Sequence, residues 1–204
     1  MIDWRDYFQP LPAGPFSTLL ADPPWAWHSW GGQDLVPHRR KGGSPYEAVP
    51  LPILKALPVA DVCARDAVLH MWVIDSHIEQ ALELGKAWGF EFKTRGFDWV
   101  KMEDPVQQWL DGWEVKYPKM SFGKWVRKEG EISLIFTRGK PKRSPGGGGV
   151  RQTIFAPRRK HSQKPEEQYA RIEALSAGPY LEMFGRTSRP GWSTWGDQVD
   201  RVIT

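Results

Sequence analysis

The ten residues FSTLLADPPW, numbered 16–25, form an apolar run of strand length that ends in two consecutive prolines. Proline has no backbone N–H to donate to a β-ladder, so the strand is expected to end at Ala21. Ligands of open α/β sheets bind at the carboxyl ends of strands. There, Asp22 offers an acceptor and Trp25 a flat apolar face, which suits a planar group with an NH2, such as a nucleobase. The alternative is a proline-terminated strand beside a buried Trp.

Segments typical of strands and helices alternate along the rest of the chain. The almost unbroken apolar run 67–74 predicts a strand buried on both faces. Ser76 and Glu79 have the spacing of a capping box, which predicts a helix that begins after Ser76 and stops near Gly89. This alternation predicts an α/β fold with a largely parallel sheet. The other expected elements are a short helix at 51–57, strands at 90–101, 132–138 and 180–184, and a helix from Pro165 to about Gly178.

The composition fits one domain with a full hydrophobic core: 204 residues, of which 40% are hydrophobic and 25% charged. We expect a single domain over 1–204 with long loops at about 26–50, 103–122 and 139–160. Because Cys63 is the only cysteine, a disulfide scaffold and a cysteine-built zinc site are excluded, and no metal is expected. No apolar run or leader indicates a membrane span or a signal peptide, which favours a cytoplasmic protein.

Basic residues are distributed unevenly. Lys and Arg total 28 against 24 Asp and Glu, a net charge of +4, yet the stretch 132–165 contains nine bases and no acid. A second basic cluster lies in the loop that follows Trp25. Basic loops near aromatic side chains are typical of a surface that binds a phosphate backbone, although a run of charge can also be a solvated face. The candidate nucleic-acid contacts are Arg39, Arg40, Lys41, Arg158, Arg159 and Lys160.

The DPPW motif at 22–25 resembles that of the MT-A70 family of adenine N6 methyltransferases, which use S-adenosylmethionine (SAM). The resemblance extends over about residues 17–201 and implies a Rossmann-like methyltransferase fold, a doubly wound and mostly parallel sheet. It also implies a permuted order, with the catalytic strand near the N-terminus and the SAM strand near the C-terminus. Further segments resemble family motifs in the same order: 57–59, 69–74, 88–90, 99–101, 123–131, 161–165 (HSQKP), 181–186 (LEMFGR), 191–192 and 195–197.

The resemblance implies a role for each candidate residue. Asp22 and the Pro23 carbonyl would accept hydrogen bonds from the adenine amino group, and Trp25 would stack on the base. The implied catalytic residues are Asp22, Pro23, Pro24 and Trp25. The implied contacts to the base are Trp25, Tyr46 and Glu131, although residues 128–130 depart from the family's pattern and Tyr46 could equally be a surface ring. The implied cofactor contacts are Asp22, Lys164, Glu182, Phe184, Gly185, Arg186, Asp197 and Gln198.

Several alternatives remain open from the sequence. Lys164 is either a solvated cation before a helix or a partner of the SAM carboxylate, and Glu182 binds either ribose hydroxyls or a structural cation. The substrate is expected to be DNA with a flipped-out or single-stranded adenine. RNA, or a catalytically silent role as a nucleic-acid-binding partner subunit, is the alternative. A homodimer or a partner subunit is compatible with the sequence.

Overall fold

A seven-stranded sheet forms the centre of the protein. The computed structural model describes residues 3–25, 48–102, 125–159, 163–196 and 199. Across the sheet the strands are ordered β5-β3-β4-β2-β1-β6-β7. In chain order they are β1 (Phe16–Ala21), β2 (Cys63–Val73), β3 (Glu91–Met102), β4 (Gly130–Arg138), β5 (Thr153–Pro157), β6 (Tyr180–Met183) and β7 (Trp192–Trp195).

All strands except β4 run in the same direction. Strand β1 pairs in parallel with β2 and β6, and the β6–β7 and β3–β5 pairs are also parallel. Strand β4 is antiparallel to both of its neighbours, β2 and β3. The prediction of a largely parallel sheet is therefore confirmed, with β4 as the exception. The six parallel strands end, and β4 begins, on one side of the sheet, which we call the carboxyl edge. The side on which the six strands begin and β4 ends is called the opposite edge.

Helices cover both faces of the sheet. Helices α1 (Leu51–Ala56) and α2 (Ile78–Ala87) contribute to a core on one face, together with Leu19 and Leu69. Helix α3 (Glu167–Leu175) contributes to a second core on the other face, with Leu20. Neighbouring strand residues thus point to different cores, as a pleated strand requires. The fold is a doubly wound, Rossmann-like α/β fold, as predicted. None of the helices in the described ranges has the length and apolarity to cross a bilayer.

Three local predictions were wrong. Ser76 does not cap a helix: it lies in a 3-10 turn, and its hydroxyl bonds the adjacent His77 ring, so α2 starts at Ile78 without a side-chain cap. Helix α3 starts at Glu167 rather than Pro165. The loop predicted at 139–160 contains β5, an edge strand whose short, proline-ended sequence gives little strand signal. The loops predicted at 26–50 and 103–122 lie largely outside the described residues.

Candidate active site

The DPPW motif lies at the carboxyl edge, directly after the strand that divides the sheet. Strand β1 separates β2 and the strands beyond it from β6 and β7, so Asp22 lies where the strand order reverses. Crevices of this kind are the usual ligand sites of doubly wound sheets. The Asp22 side chain is 30% exposed, which leaves part of it accessible from this crevice.

The two prolines hold the motif in a tight turn. The Trp25 N–H donates to the Pro23 carbonyl at 2.8 Å, and the Val49 N–H donates to the Pro24 carbonyl at 2.9 Å. Both carbonyls therefore already accept one bond, and a ligand would use the second lone pair of Pro23. The Trp25 indole N–H donates to the Trp72 carbonyl at 3.3 Å, which fixes the half-buried ring.

A chain of alternating charges connects Asp22 to the neighbouring strands. The Lys164 ammonium lies 2.6 Å from the Asp22 carboxylate and 3.2 Å from that of Glu131. Glu131, near the start of β4, forms a second ion pair with Lys101 of β3. The Lys164 side chain is only 8% exposed, so its interpretation as a solvated cation is wrong.

Burial and these ion pairs act in opposition on the pKa values. Burial raises the pKa of Asp22, although the Lys164 ammonium lowers it. Burial also disfavours the charge of Glu131, but Lys164 and Lys101 outweigh it and lower its pKa. Burial works against the charge of Lys164, and the two carboxylates overcome it and raise its pKa. Lys164 and Glu131 are therefore ionised at neutral pH, whereas for Asp22 burial outweighs its counter-ion and the pKa is raised.

Glu182 of β6 lies beside this chain on the α3 face. It accepts a hydrogen bond from the Tyr169 hydroxyl at 2.9 Å. Burial raises the pKa of Glu182 to about 7; the Tyr169 bond lowers it and the negative charge of Asp22 adds to the rise. The partner is thus a hydroxyl of this chain rather than a structural cation, and the carboxylate keeps acceptor capacity for a second hydroxyl.

The residues that follow Glu182 lie in a closely packed segment between β6 and β7. Phe184 has a φ of 64°, in the left-handed region, and its ring packs against those of Phe8 and Trp195 at 5.7 and 5.4 Å. Strain of this kind persists only where the surroundings impose it. A Cβ on Gly185 would lie 3.0 Å from the Glu182 carboxyl carbon. The nearer obstacle to that Cβ is the Thr194 side chain of β7, so a residue without a side chain is required where Gly185 passes between Thr194 and the Glu182 carboxylate.

The structure brings together only some of the predicted residues. Asp22, Pro23, Pro24, Trp25, Glu131, Lys164, Glu182, Phe184, Gly185 and Arg186 all lie at the carboxyl edge, and Arg186 contributes positive charge at Asp22. Seven other predicted residues fall outside the described ones, namely Arg39, Arg40, Lys41, Tyr46, Lys160, Asp197 and Gln198.

The acid-free stretch 132–165 is not one surface. Residues 139–152 connect the end of β4 to the start of β5, and both of these ends lie at the opposite edge. Arg158 follows β5 at the carboxyl edge and is exposed, whereas Arg159 pairs with Glu166 at 2.9 Å. Arg158 and Arg159 therefore lie at the same edge as the DPPW motif, while the bases of 139–152 do not, and their contact with nucleic acid stays a prediction.

Sequence reasoning missed four residues of the site. Lys101 pairs with Glu131, and the Trp72 ring lies 5.7 Å from the Lys164 ammonium. The indole N–H of Trp72 donates to Gln168 at 2.6 Å, and Tyr169 donates to Glu182. Gln168 and Tyr169 occupy the first turn of α3, which the sequence predicted as a helix without assigning these two residues to the site. The available signal was their position four and five residues after Lys164.

Comparison with known proteins gives consistent results. The sequence profile of the MT-A70 family matches residues 16–198. The chain is similar to the Type II methyltransferase M.MunI of a Mycoplasma species, with 29% identity over 95% of this chain and 82% of that protein. It is also similar to the N(6)-adenosine-methyltransferase catalytic subunit METTL3 of Homo sapiens, with 28% identity over 93% of this chain. The match covers only 29% of METTL3, and a Drosophila melanogaster MT-A70-like protein is covered to 28%.

Proposed function

Because the chain belongs to the MT-A70 family, we propose that it transfers a methyl group from SAM to the N6 amino group of adenine in DNA. The resemblance inferred from the motifs is confirmed by the family match, and with it the use of SAM as methyl donor. One observation supports the proposed chemistry most directly: Asp22 lies at the switch point of the sheet, half-accessible, with a buried cation on one carboxylate oxygen.

The residues at the end of β6 fit the cofactor. The Glu182 carboxylate can accept from ribose hydroxyls, and the half-buried Phe184 beside it supplies an aromatic surface. Lys164 lies close enough to the same crevice to attract the carboxylate of SAM, although it is already paired with Asp22. Bound there, SAM supplies an electrophilic methyl group.

Asp22 supplies the electrostatic part of the reaction. The amino nitrogen of adenine is a weak nucleophile because its lone pair is delocalised into the ring. A carboxylate oxygen of Asp22 and the second lone pair of the Pro23 carbonyl would accept its two N–H bonds. This holds the nitrogen in one orientation and offsets the positive charge that develops on it in the transition state. Trp25, fixed by its bond to the Trp72 carbonyl, would support the base plane.

The choice of DNA over RNA is supported by the extent of the matches. The type II class of methyltransferases modifies DNA, and M.MunI is matched over 82% of its length. METTL3, named for the ribonucleoside adenosine, is matched over only 29%. RNA methylation and a silent partner role are the competing proposals, and the intact Asp22–Lys164 pair favours an active enzyme over the silent role.

Incubation with methyl-labelled SAM and either DNA or RNA, followed by nucleoside analysis, tests the proposal. Labelled N6-methyldeoxyadenosine is the expected product, whereas labelled N6-methyladenosine would assign RNA instead. Asp22→Ala should lower the rate by at least about 10³-fold, because it removes a preorganised acceptor. Asp66→Ala is the matched control, since Asp66 accepts a backbone N–H from Lys140 at the opposite edge. Absence of product on both polymers would refute the enzyme proposal.

A further inference from the structure

Lys101 is held in place from two sides. It lies at the end of β3, where its ammonium pairs with Glu131 and sits 4.9 Å from the centre of the Trp99 ring. The Trp99 indole N–H donates to the Ala156 carbonyl at 3.0 Å, which fixes that ring against β5. The Lys101 side chain is 14% exposed. Holding a long, half-buried cation in one place costs conformational entropy and desolvation, which the negative charge of Glu131 offsets.

The pairing pattern shows what that charge does. Lys164 is shared by two carboxylates, those of Asp22 and Glu131. If Glu131 had no other cation, it would compete for Lys164 and leave Asp22 with a weaker counter-ion. Lys101 neutralises Glu131, so the chain Lys101–Glu131–Lys164–Asp22 has two positive and two negative charges and no net charge.

We propose that Lys101 is a positioning residue of the methyl-transfer site that acts through Glu131 and Lys164 to keep Asp22 ionised. This rests on the proposed function, in which Asp22 must accept hydrogen bonds from the amino group of the base. Lys101 is connected to Asp22 through three successive ion pairs, and its influence passes through the distribution of charge rather than through contact with the substrate.

The other charged groups that face Asp22 belong to different elements. Arg186, after β6, adds positive charge, while Glu182 of β6 adds negative charge beside the Tyr169 hydroxyl of α3. The Glu182 carboxylate and the Tyr169 hydroxyl bond each other on the α3 face of the sheet, and this bond involves neither Lys101 nor Glu131.

Lys101→Met tests the inference, because it keeps the length of the side chain and removes its charge. With the cluster left at a net charge of −1, the pKa of Asp22 should rise by about one unit. Carbon-13 NMR of the aspartate carboxyl groups would measure this in the protein without cofactor. In the methylation assay, the acidic limb of the kcat profile should move to higher pH by the same amount, while KM for SAM changes less than about twofold. Lys101→Arg should restore the wild-type profile.

Lys93→Met is the matched control, since Lys93 pairs with Glu91 in an exposed ion pair at the other end of the same strand. In a Glu131→Gln background the Lys101→Met change should no longer move the pKa of Asp22. An unchanged pKa of Asp22 in Lys101→Met, or an equal change in the control, would overturn the inference. The NMR titration gives this answer even if the wild-type protein methylates nothing, an outcome that would count against the proposed function alone.

Discussion

The two edges of the sheet carry the same residue types in opposite circumstances. At the carboxyl edge, Lys164 is buried and Lys101 is half-buried, and both ammonium groups pair with carboxylates of other segments. At the opposite edge, Lys140, Lys142 and Arg143 are exposed. A positive charge in water costs the fold little and adds little stability, whereas a buried one requires partners that fix its position. Both edges contribute to the net charge, but only the carboxyl edge uses charge to build a site.

The largest effect is expected when Lys164, the cation shared by Asp22 and Glu131, is removed. Lys164→Met leaves Asp22 and Glu131 with one cation between them, and should lower the free energy of unfolding by about 2–3 kcal/mol at pH 7.5. The loss should be smaller at pH 5, where Asp22 is protonated more readily. Lys140→Met at the opposite edge should change it by less than about 0.5 kcal/mol. Urea unfolding at both pH values measures these differences, and equal losses at the two edges would contradict the distinction.

The pH dependence of protein stability tests the same contrast between buried and exposed charges, with Glu182 as the more buried group. Its pKa is raised by burial to about 7, so the folded protein keeps a proton that the unfolded chain loses above its ordinary value of 4.5. Its contribution to stability is thus complete at low pH and is lost as the pH rises towards 7. Relative to the wild type, Glu182→Gln should gain stability over this range, by up to about 3 kcal/mol. The gain should be absent in Glu83→Gln, because the wild-type Glu83 carboxylate pairs with Lys55 on the surface.

Thermal unfolding of the cofactor-free protein from pH 4.5 to 8 measures this difference. A constant offset between Glu182→Gln and the wild type across the whole range would show that Glu182 does not titrate where its burial places it.

The smallest effect concerns the exposed arginines at the two ends of β5. Arg158 follows this strand at the carboxyl edge, and Arg151 precedes it at the opposite edge. If DNA crosses the carboxyl edge, Arg158→Ala should weaken binding a few-fold and reduce the salt slope of log K by about 1. Arg151→Ala should leave both unchanged. Titration of labelled DNA at several salt concentrations compares the two variants. A larger loss of binding in Arg151→Ala than in Arg158→Ala would show that DNA binds at the opposite edge.

The sequence was most informative where the local residues permit only one backbone structure. Two prolines end β1 at Ala21 in any tertiary context, and the apolar run before His70 and after it is buried in β2 as predicted. The position of Asp22 at the carboxyl end of β1 was also predicted, whereas its proximity to Lys164 is a finding of the structure. The roles predicted for these residues stay predictions.

What the sequence could not show depends on contacts between distant strands. Lys164 has the local context of a solvated lysine, and only its pairing with Asp22 and Glu131 reveals that it is buried. The acid-free stretch looked continuous because chain order does not show that it crosses from one edge of the sheet to the other. The Ser76 cap failed because a 3-10 turn placed its hydroxyl on His77 instead of on the helix.

The central position of β1 also bears on how the chain is synthesised. Its two neighbours are β2 and β6, and the Thr18 hydroxyl donates to the Ala177 carbonyl across 159 positions of sequence. A growing polypeptide therefore carries an early strand with one edge unpaired until β6 has left the ribosome. Closing so long a loop is slow, and an open apolar edge is a template for intermolecular pairing. The same connectivity that places Asp22 between distant segments makes its assembly a late event in synthesis.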